Sequence, residues 1–188
     1  MGDKMADIKD LENKIEELKS EIEIIKANMP KDQLSMVVMS GDLDKLLASF
    51  IIATGAAAMY EKVIMFFTFW AIPFLKDPNK KVPKDIISKA FELMLPKNTK
   101  GLKLSKMNMC GMGPIMIKHI MKKHNVKTLG DLVKVASDMG NIEIYICQMS
   151  MDLMGYKWEE MINYPNMKSA GVAKFVAEAG QSKATLFI

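Results

Sequence analysis

The chain has 188 residues, 49% of them hydrophobic and 26% charged, which suits one globular domain with a small appendage and excludes wholesale disorder. Two cysteines cannot build a disulfide scaffold, and the opening Met-Gly-Asp-Lys-Met-Ala-Asp lacks an apolar signal core, so a reducing cytoplasm is expected. The net charge is +4, yet all 26 basic residues are lysine, which argues against sequence-specific nucleic-acid reading because arginine makes the bidentate phosphate and guanine contacts.

Charge is uneven along the chain. Residues 1–32 carry a net −3 and the remainder a net +7, so an acidic arm precedes a basic body that favours an anionic or acidic partner. In the arm, Ile8, Leu11, Ile15, Leu18, Ile22, Ile25 and Met29 alternate in steps of three and four up to Pro30, predicting a helix with a heptad seam. Such a seam either folds back on its own domain or pairs with a second chain, as a homo-oligomer. Isoleucine at the first core position, with leucine mostly at the second, favours two strands. In a parallel pair Lys14 would face Lys19 and Asp7 would face Glu12, both repulsive, and only Glu21 with Lys26 would attract. An antiparallel pair that sets Ile15 against Leu18 brings Lys14 to Glu21 and Glu12 to Lys19. The signs favour the antiparallel pair, although each exposed pair contributes only about a few tenths of a kcal/mol.

Residues 33–188 read as alternating strand and helix. Leu34–Met39 has strand length and ends in Ser40-Gly41-Asp42, with Asp42 placed to cap a helix over Leu43–Tyr60. Val63–Phe67 is the next buried strand and runs into a Thr68-Phe69-Trp70 loop. Lys76–Lys84 is a polar loop and Asp85–Met94 a helix. Pro114–His124 and Leu129–Met139 are further helices, the second capped by Thr128. Glu143–Cys147 is a third strand, Met167–Ala170 a short one, and Ala184–Ile188 closes the sheet. Strands separated by helices imply right-handed crossovers and a parallel sheet covered on both faces, with ligands beyond the strands' carboxyl ends.

A membrane span fits poorly. Leu46–Met59 is uncharged for 14 residues and Val63–Leu75 for 13, against the roughly 20 a spanning helix needs. Peripheral membrane contact through Phe69, Trp70, Ile72 and Phe74 stays open, because these side chains fall in a predicted loop.

Chemistry centres on the two cysteines. Cys147 falls at the carboxyl end of a predicted central strand, directly before Gln148-Met149-Ser150-Met151-Asp152, which starts a helix whose N–H groups favour a thiolate. A buried cysteine acting as a small hydrophobe is the competing reading. Cys110 lies in Met107-Asn108-Met109-Cys110-Gly111-Met112-Gly113-Pro114, where the glycines allow a tight backbone and Pro114 suits a first helical position. Lys103 and Lys106 lie upstream as electrostatic support. The two thiols could share a pocket as attacking and resolving partners, given Cα atoms within about 7 Å for a disulfide.

Methionine is abundant, 19 in all, and Met107, Met109 and Met112 surround Cys110 while Met149, Met151 and Met154 follow Cys147. Thioether and thiolate ligands select copper(I), but methionine filling an irregular core explains the pattern better. Zinc fares worse, since His119 and His124 are five positions apart, which on a helix turns them by about 140° onto different faces. The Cys110 loop lacks the lysine and hydroxyl of a phosphate loop, and no nucleophile elbow supports a serine triad.

Taken together, Ser40-Gly41-Asp42-Leu43-Asp44-Lys45, Phe66-Phe67-Thr68-Phe69-Trp70, Leu104-Ser105-Lys106-Met107-Asn108-Met109 and Cys147-Gln148-Met149-Ser150-Met151-Asp152-Leu153-Met154-Gly155 resemble the DsrE/DsrF/DsrH-like family. More narrowly, they resemble its branch labelled peroxiredoxin-like, and the likeness spans roughly residues 33–188. The resemblance implies a flavodoxin-like parallel sheet of about five strands, homo-oligomeric assembly, and intracellular sulfur relay through a cysteine persulfide exchanged with TusA-like carrier proteins. It implies no cofactor. Carried over by position, Cys147 would bear the sulfur; Cys110, in the place of the family's glycine-rich methionine motif, is a second candidate catalytic thiol, with Ser40, Gly41, Thr68, Met109, Gly111, Gln148 and Met149 expected around the substrate. The peroxiredoxin label does not imply peroxidase activity, because the thioredoxin-type context of a peroxidatic cysteine is missing. The alternatives are a small-ligand or nucleotide-binding module and a copper(I)-binding protein.

Overall fold

The computed structural model describes residues 2–80, 82–84 and 101–188, and of residues 2–7, 9 and 27 it describes the backbone alone. The helix expected at Asp85–Met94 lies outside the described residues. The chain divides into two units, Met1–Lys31 and Asp32–Ile188.

The first unit is one helix, α1 (Gly2–Asn28), ended before Pro30 as its missing N–H and fixed φ require. Its surface carries ion pairs at helical spacing, Lys14 with Asp10 at 2.9 Å and Lys19 with Glu16 at 3.6 Å. The apolar seam is solvent-facing, with Ile8, Leu11, Ile15, Leu18, Ile22, Ile25 and Met29 each 48–60% exposed.

The second unit is built around five strands: β1 (Lys31–Val38), β2 (Lys62–Phe67), β3 (Ile142–Cys147), β4 (Met167–Ala170) and β5 (Ser182–Phe187). They form one sheet in the order β4-β3-β2-β1-β5, all parallel. β1 pairs with β2 from Gln33 opposite Lys62, β2 with β3 from Val63 opposite Ile142, and β3 with β4 from Ile144 opposite Met167. Central strands of a parallel sheet are covered on both faces, which is why β2 and β3 read as nearly unbroken apolar runs.

Period-two alternation divides those runs. Leu34, Met36 and Val38, with Val63, Met65, Phe67, Ile142, Ile144 and Ile146, point into the larger core. Helices α2 (Leu43–Ala57), α4 (Leu129–Met139) and α5 (Gln148–Met154) pack there, and α3 (Met112–Lys123) reaches it through Met121. The opposite face carries Ile64, Phe66, Tyr145 and Cys147 under α6 (Val172–Gly180), whose Phe175 ring stacks on Phe66 with centroids 4.8 Å apart. One open parallel sheet with helices on both faces is a flavodoxin-like α/β fold, as the sequence led us to expect.

Several local expectations hold. Thr128 caps α4 by accepting the Asp131 N–H at 3.3 Å, and Asp131 in turn accepts the Thr128 N–H at 3.0 Å. Others need correction. Asp42 sits at the N-cap position of α2 but its side chain makes no capping bond; the carboxylate instead accepts the Ser40 hydroxyl at 2.9 Å, and the Leu43 N–H is satisfied by the Lys103 carbonyl at 2.8 Å. The loop after Thr68 is a 3-10 helix, Phe69–Leu75, that buries Ile72 and Phe74 and leaves Trp70 52% exposed. The membrane contact through Ile72 and Phe74 therefore fails for a physical reason: both side chains are already in the core. Lys76, placed in a solvated polar loop, is buried with its ammonium 3.2 Å from the fully buried Glu160, which also pairs with Lys84 at 2.9 Å. Helix α6 is an element the sequence reading did not identify.

Candidate functional site

The carboxyl edge of the sheet collects five of the residues expected around a substrate, because each directly follows a strand. Ser40 and Gly41 follow β1, Thr68 follows β2, and Gln148 and Met149 follow β3. Strand order steps one way from β1 to β4, then returns to the far side of β1 for β5. The direction reverses at β1, and crevices in open parallel sheets form at such switch points.

Two contacts close the edge tightly. A Cβ on Gly41 would lie 2.2 Å from the Trp70 carbonyl oxygen, so this position needs glycine to let the post-β1 and post-β2 segments touch. The Thr68 and Ser150 hydroxyls bond at 2.8 Å in the interior, tying the end of β2 to α5. Gln148 donates to Asp152 at 2.9 Å and accepts from the Ser169 hydroxyl. The polar side chains expected around a substrate are thus engaged with neighbouring side chains, Ser40 with Asp42, Thr68 with Ser150 and Gln148 with Asp152 and Ser169, while Met149 is exposed.

Cys147 is the last residue of β3, and alternation turns its side chain onto the α6 face, opposite to Ile146. There it packs with Phe66, Tyr145 and Phe175 and is 1% exposed. The expectation of a reachable sulfur at this position does not hold in the folded chain. The reason is α6, which lays Phe175 over the strand end.

Cys110 is exposed. Its loop runs from Gly101 to Gly111 and is fastened to the first turn of α2, directly after β1. Asp44 in that turn accepts the Ser105 N–H at 2.9 Å and also the Ser105 hydroxyl. Burial pushes the Asp44 carboxyl up, but the Ser105 bonds outweigh it and hold the group below its ordinary range. Lys103 contributes its carbonyl to Leu43. Asn108 then organises the turn: its side-chain oxygen accepts the Leu104 N–H at 3.2 Å, and its carbonyl accepts the Gly111 and Gly113 N–H groups at 2.7 and 3.3 Å.

The backbone here is held out of its preferred regions. Met107, Met109 and Cys110 have φ of 56°, 43° and 54°, and Gly111 follows at 96°. Non-glycine residues in the left-handed region cost on the order of 1 kcal/mol or more each, so the ties from Asp44, Asn108 and Lys103 are what sustain this shape. Gly113 completes it, since a Cβ there would lie 2.0 Å from the Met107 carbonyl oxygen. The result raises Cys110 among the exposed side chains of Met107, Met109 and Met112. Strand alternation cannot signal this arrangement. The signal the sequence did hold was the glycine spacing about Cys110.

The two cysteines are both free and differ in exposure. One is buried under α6, and the other is displayed on a loop tied to α2, on the opposite face of the sheet. Among the described residues, no three His, Cys, Asp or Glu side chains come together as metal ligands. A separate cleft of about 590 Å³ lies between α2 and the α3–α4 connection, lined by Leu43, Leu47, Met121 and the three lysines 118, 122 and 127. Neither cysteine is among its described lining residues.

The open parallel sheet with helices on both faces defines an α/β domain of flavodoxin-like class, and comparison with known proteins makes this specific. Residues 30–187 match the model of the DsrE/DsrF/DrsH-like family, and the chain belongs to that family. It is 43% identical over 155 residues to the uncharacterized protein YrkE of Bacillus subtilis, covering 82% of this chain and 95% of that one. It is 31% identical over 162 residues to the sulfur carrier protein DsrE2 of Allochromatium vinosum, covering 85% of this chain and all of that one. Among the described residues, no helix is long and apolar enough to cross a membrane.

Proposed function

We propose that the protein is a sulfur carrier, or sulfurtransferase-like protein, that holds sulfane sulfur as a persulfide on Cys110. The observation that carries this reading is the exposure of Cys110 on a loop fastened at the sheet's switch point, where Cys147 is shut away. The name of the Allochromatium relative supports the same class of activity.

The chemistry needs little beyond a reachable thiolate. Cys110 as thiolate attacks the outer sulfur of a donor persulfide; the new S–S bond forms as the donor S–S bond breaks, and the donor leaves as its thiolate. Delivery repeats the step, with an acceptor thiolate attacking the outer sulfur and Cys110 leaving. No net oxidant or reductant is consumed. The surrounding methionines shield the product from water, and exposed Lys103 and Lys106 suit an acidic, TusA-like carrier.

Treating the protein with a low-molecular-weight persulfide, removing the donor and adding cyanide tests the reading. One equivalent of thiocyanate per chain is expected from wild type and none from Cys110→Ser. Equal yields from both would refute it.

The cleft between α2 and the α3–α4 connection favours a second reading, a small-ligand-binding module, because its volume is ligand-sized and its lining is apolar with a few cationic groups. Ligand binding unaffected by Cys110→Ser, together with no thiocyanate from wild type, would select that reading.

A further inference from the structure

We propose that α1 is a dimerisation element, pairing antiparallel with the α1 of a second copy in the single register that sets Ile15 against Leu18. The inference does not depend on the sulfur chemistry. It starts from the exposed seam: six aliphatic side chains in heptad spacing, each 48–60% exposed, on a helix with charged residues flanking the seam. An apolar stripe of this length on an acidic helix requires a partner to leave water, and a second seam of the same spacing interlocks with it.

Charge selects the orientation and register. Facing Ile15 with Leu18 also faces Leu11 with Ile22 and Ile8 with Ile25, so the six isoleucine and leucine side chains of the seam all meet an aliphatic partner. In that register Lys14 meets Glu21 along one flank and Glu12 meets Lys19 along the other, and the twofold symmetry repeats each pair. Sliding one heptad so that Ile15 faces Ile25 sets Glu21 against its own copy and Lys19 against its own. Sliding the other way, so that Ile15 faces Leu11, does the same to Lys14 and Glu12. The parallel arrangement sets Lys14 against Lys19. Only one arrangement leaves these flanking charges matched, so the seam supplies affinity and the flanks supply specificity. In the lone helix Lys14 and Lys19 rest on Asp10 and Glu16 of their own chain, exposed pairs that yield readily to a partner.

Lys14→Glu separates the arrangements by sign. In the proposed register it turns two attractions into two repulsions, and the dimer dissociation constant of the full-length protein, read by analytical ultracentrifugation, is expected to rise about tenfold. Adding Glu21→Lys restores it. In a parallel pair Lys14→Glu would instead face Lys19 and tighten the dimer, which would overturn the proposal. A second measurement guards against oligomerisation through the other unit. With both native cysteines replaced by serine, Lys14→Cys/Glu21→Cys is expected to oxidise to a covalent dimer, because residues seven apart on one helix are about 10 Å distant and cannot bridge within a chain. Absence of that covalent dimer would equally overturn the proposal.

Discussion

Phe175→Ala tests whether α6 is what closes Cys147 off. Phe175 is 6% exposed, stacks on Phe66 at 4.8 Å and covers the cluster that holds Cys147. Truncating a buried phenylalanine costs about 3–5 kcal/mol, of which the ring pair accounts for roughly 0.5–1.5. If α6 must lift for reagent to reach the sulfur, that cost appears in the opening equilibrium. Cys147 should then label about a hundred to four thousand times faster, at 1.4 kcal/mol per factor of ten. The assay is N-ethylmaleimide labelling followed by intact mass in a Cys110→Ser background, with circular dichroism establishing that the variant is folded at the assay temperature. Phe175→Leu, a milder change of roughly 1 kcal/mol, should accelerate labelling less than tenfold and keeps the test informative if the alanine variant unfolds. Wild-type Cys147 labelling as fast as an unfolded chain, or no acceleration in either variant, would refute the reasoning.

Three further predictions concern the supports. Asp44→Asn should loosen the Cys110 loop, destabilising the domain by about 1 kcal/mol for a part-exposed charged hydrogen bond and speeding amide exchange over residues 103–111. Because the folded Asp44 carboxyl lies below its ordinary 3.8, its contribution is complete above that value, is lost as pH falls through the depressed one, and should be missing from the acid limb of the Asn variant's stability profile. Gly113→Ala should displace Met107 and slow sulfur loading while leaving the melting of the rest of the domain nearly unchanged, measured by loading rate beside calorimetry. Glu160→Gln removes the buried carboxylate shared by Lys76 and Lys84 and should cost roughly 3 kcal/mol in urea unfolding; an unchanged midpoint would show that the cluster contributes little.

The sheet was legible because its signals are local. Val63–Phe67 and Glu143–Cys147 are apolar runs of strand length, and Thr128 with Asp131 is a cap readable from four residues. The fate of Cys147 was not legible, because it is decided by Phe175, 28 positions further on, in a nine-residue helix. That helix spans only nine residues, and packing rather than residue type decides its burial: Phe175 and Glu178 are buried while Val172 and Val176 are exposed. Alternation with Ile142, Ile144 and Ile146 does place Cys147 on the other face, but alternation carries no information about what covers that face. The Cys110 loop was half legible. Its glycines marked a tight turn, whereas the bonds that hold it come from Asp44, some sixty residues earlier, and no spacing rule links the two. Ile72 and Phe74 illustrate the same limit, since a loop assignment from sequence says nothing of a 3-10 helix folded into the core.

Mapping the added sulfur tests the central claim most directly. Native protein is exposed to a persulfide donor, remaining thiols are blocked under native conditions, and peptides are analysed for a mass gain of one sulfur atom. The account predicts the gain on the peptide bearing Cys110, retained in Cys147→Ser and lost in Cys110→Ser. Sulfur found on Cys147 of the folded wild-type chain, with Cys110 unmodified, would contradict it.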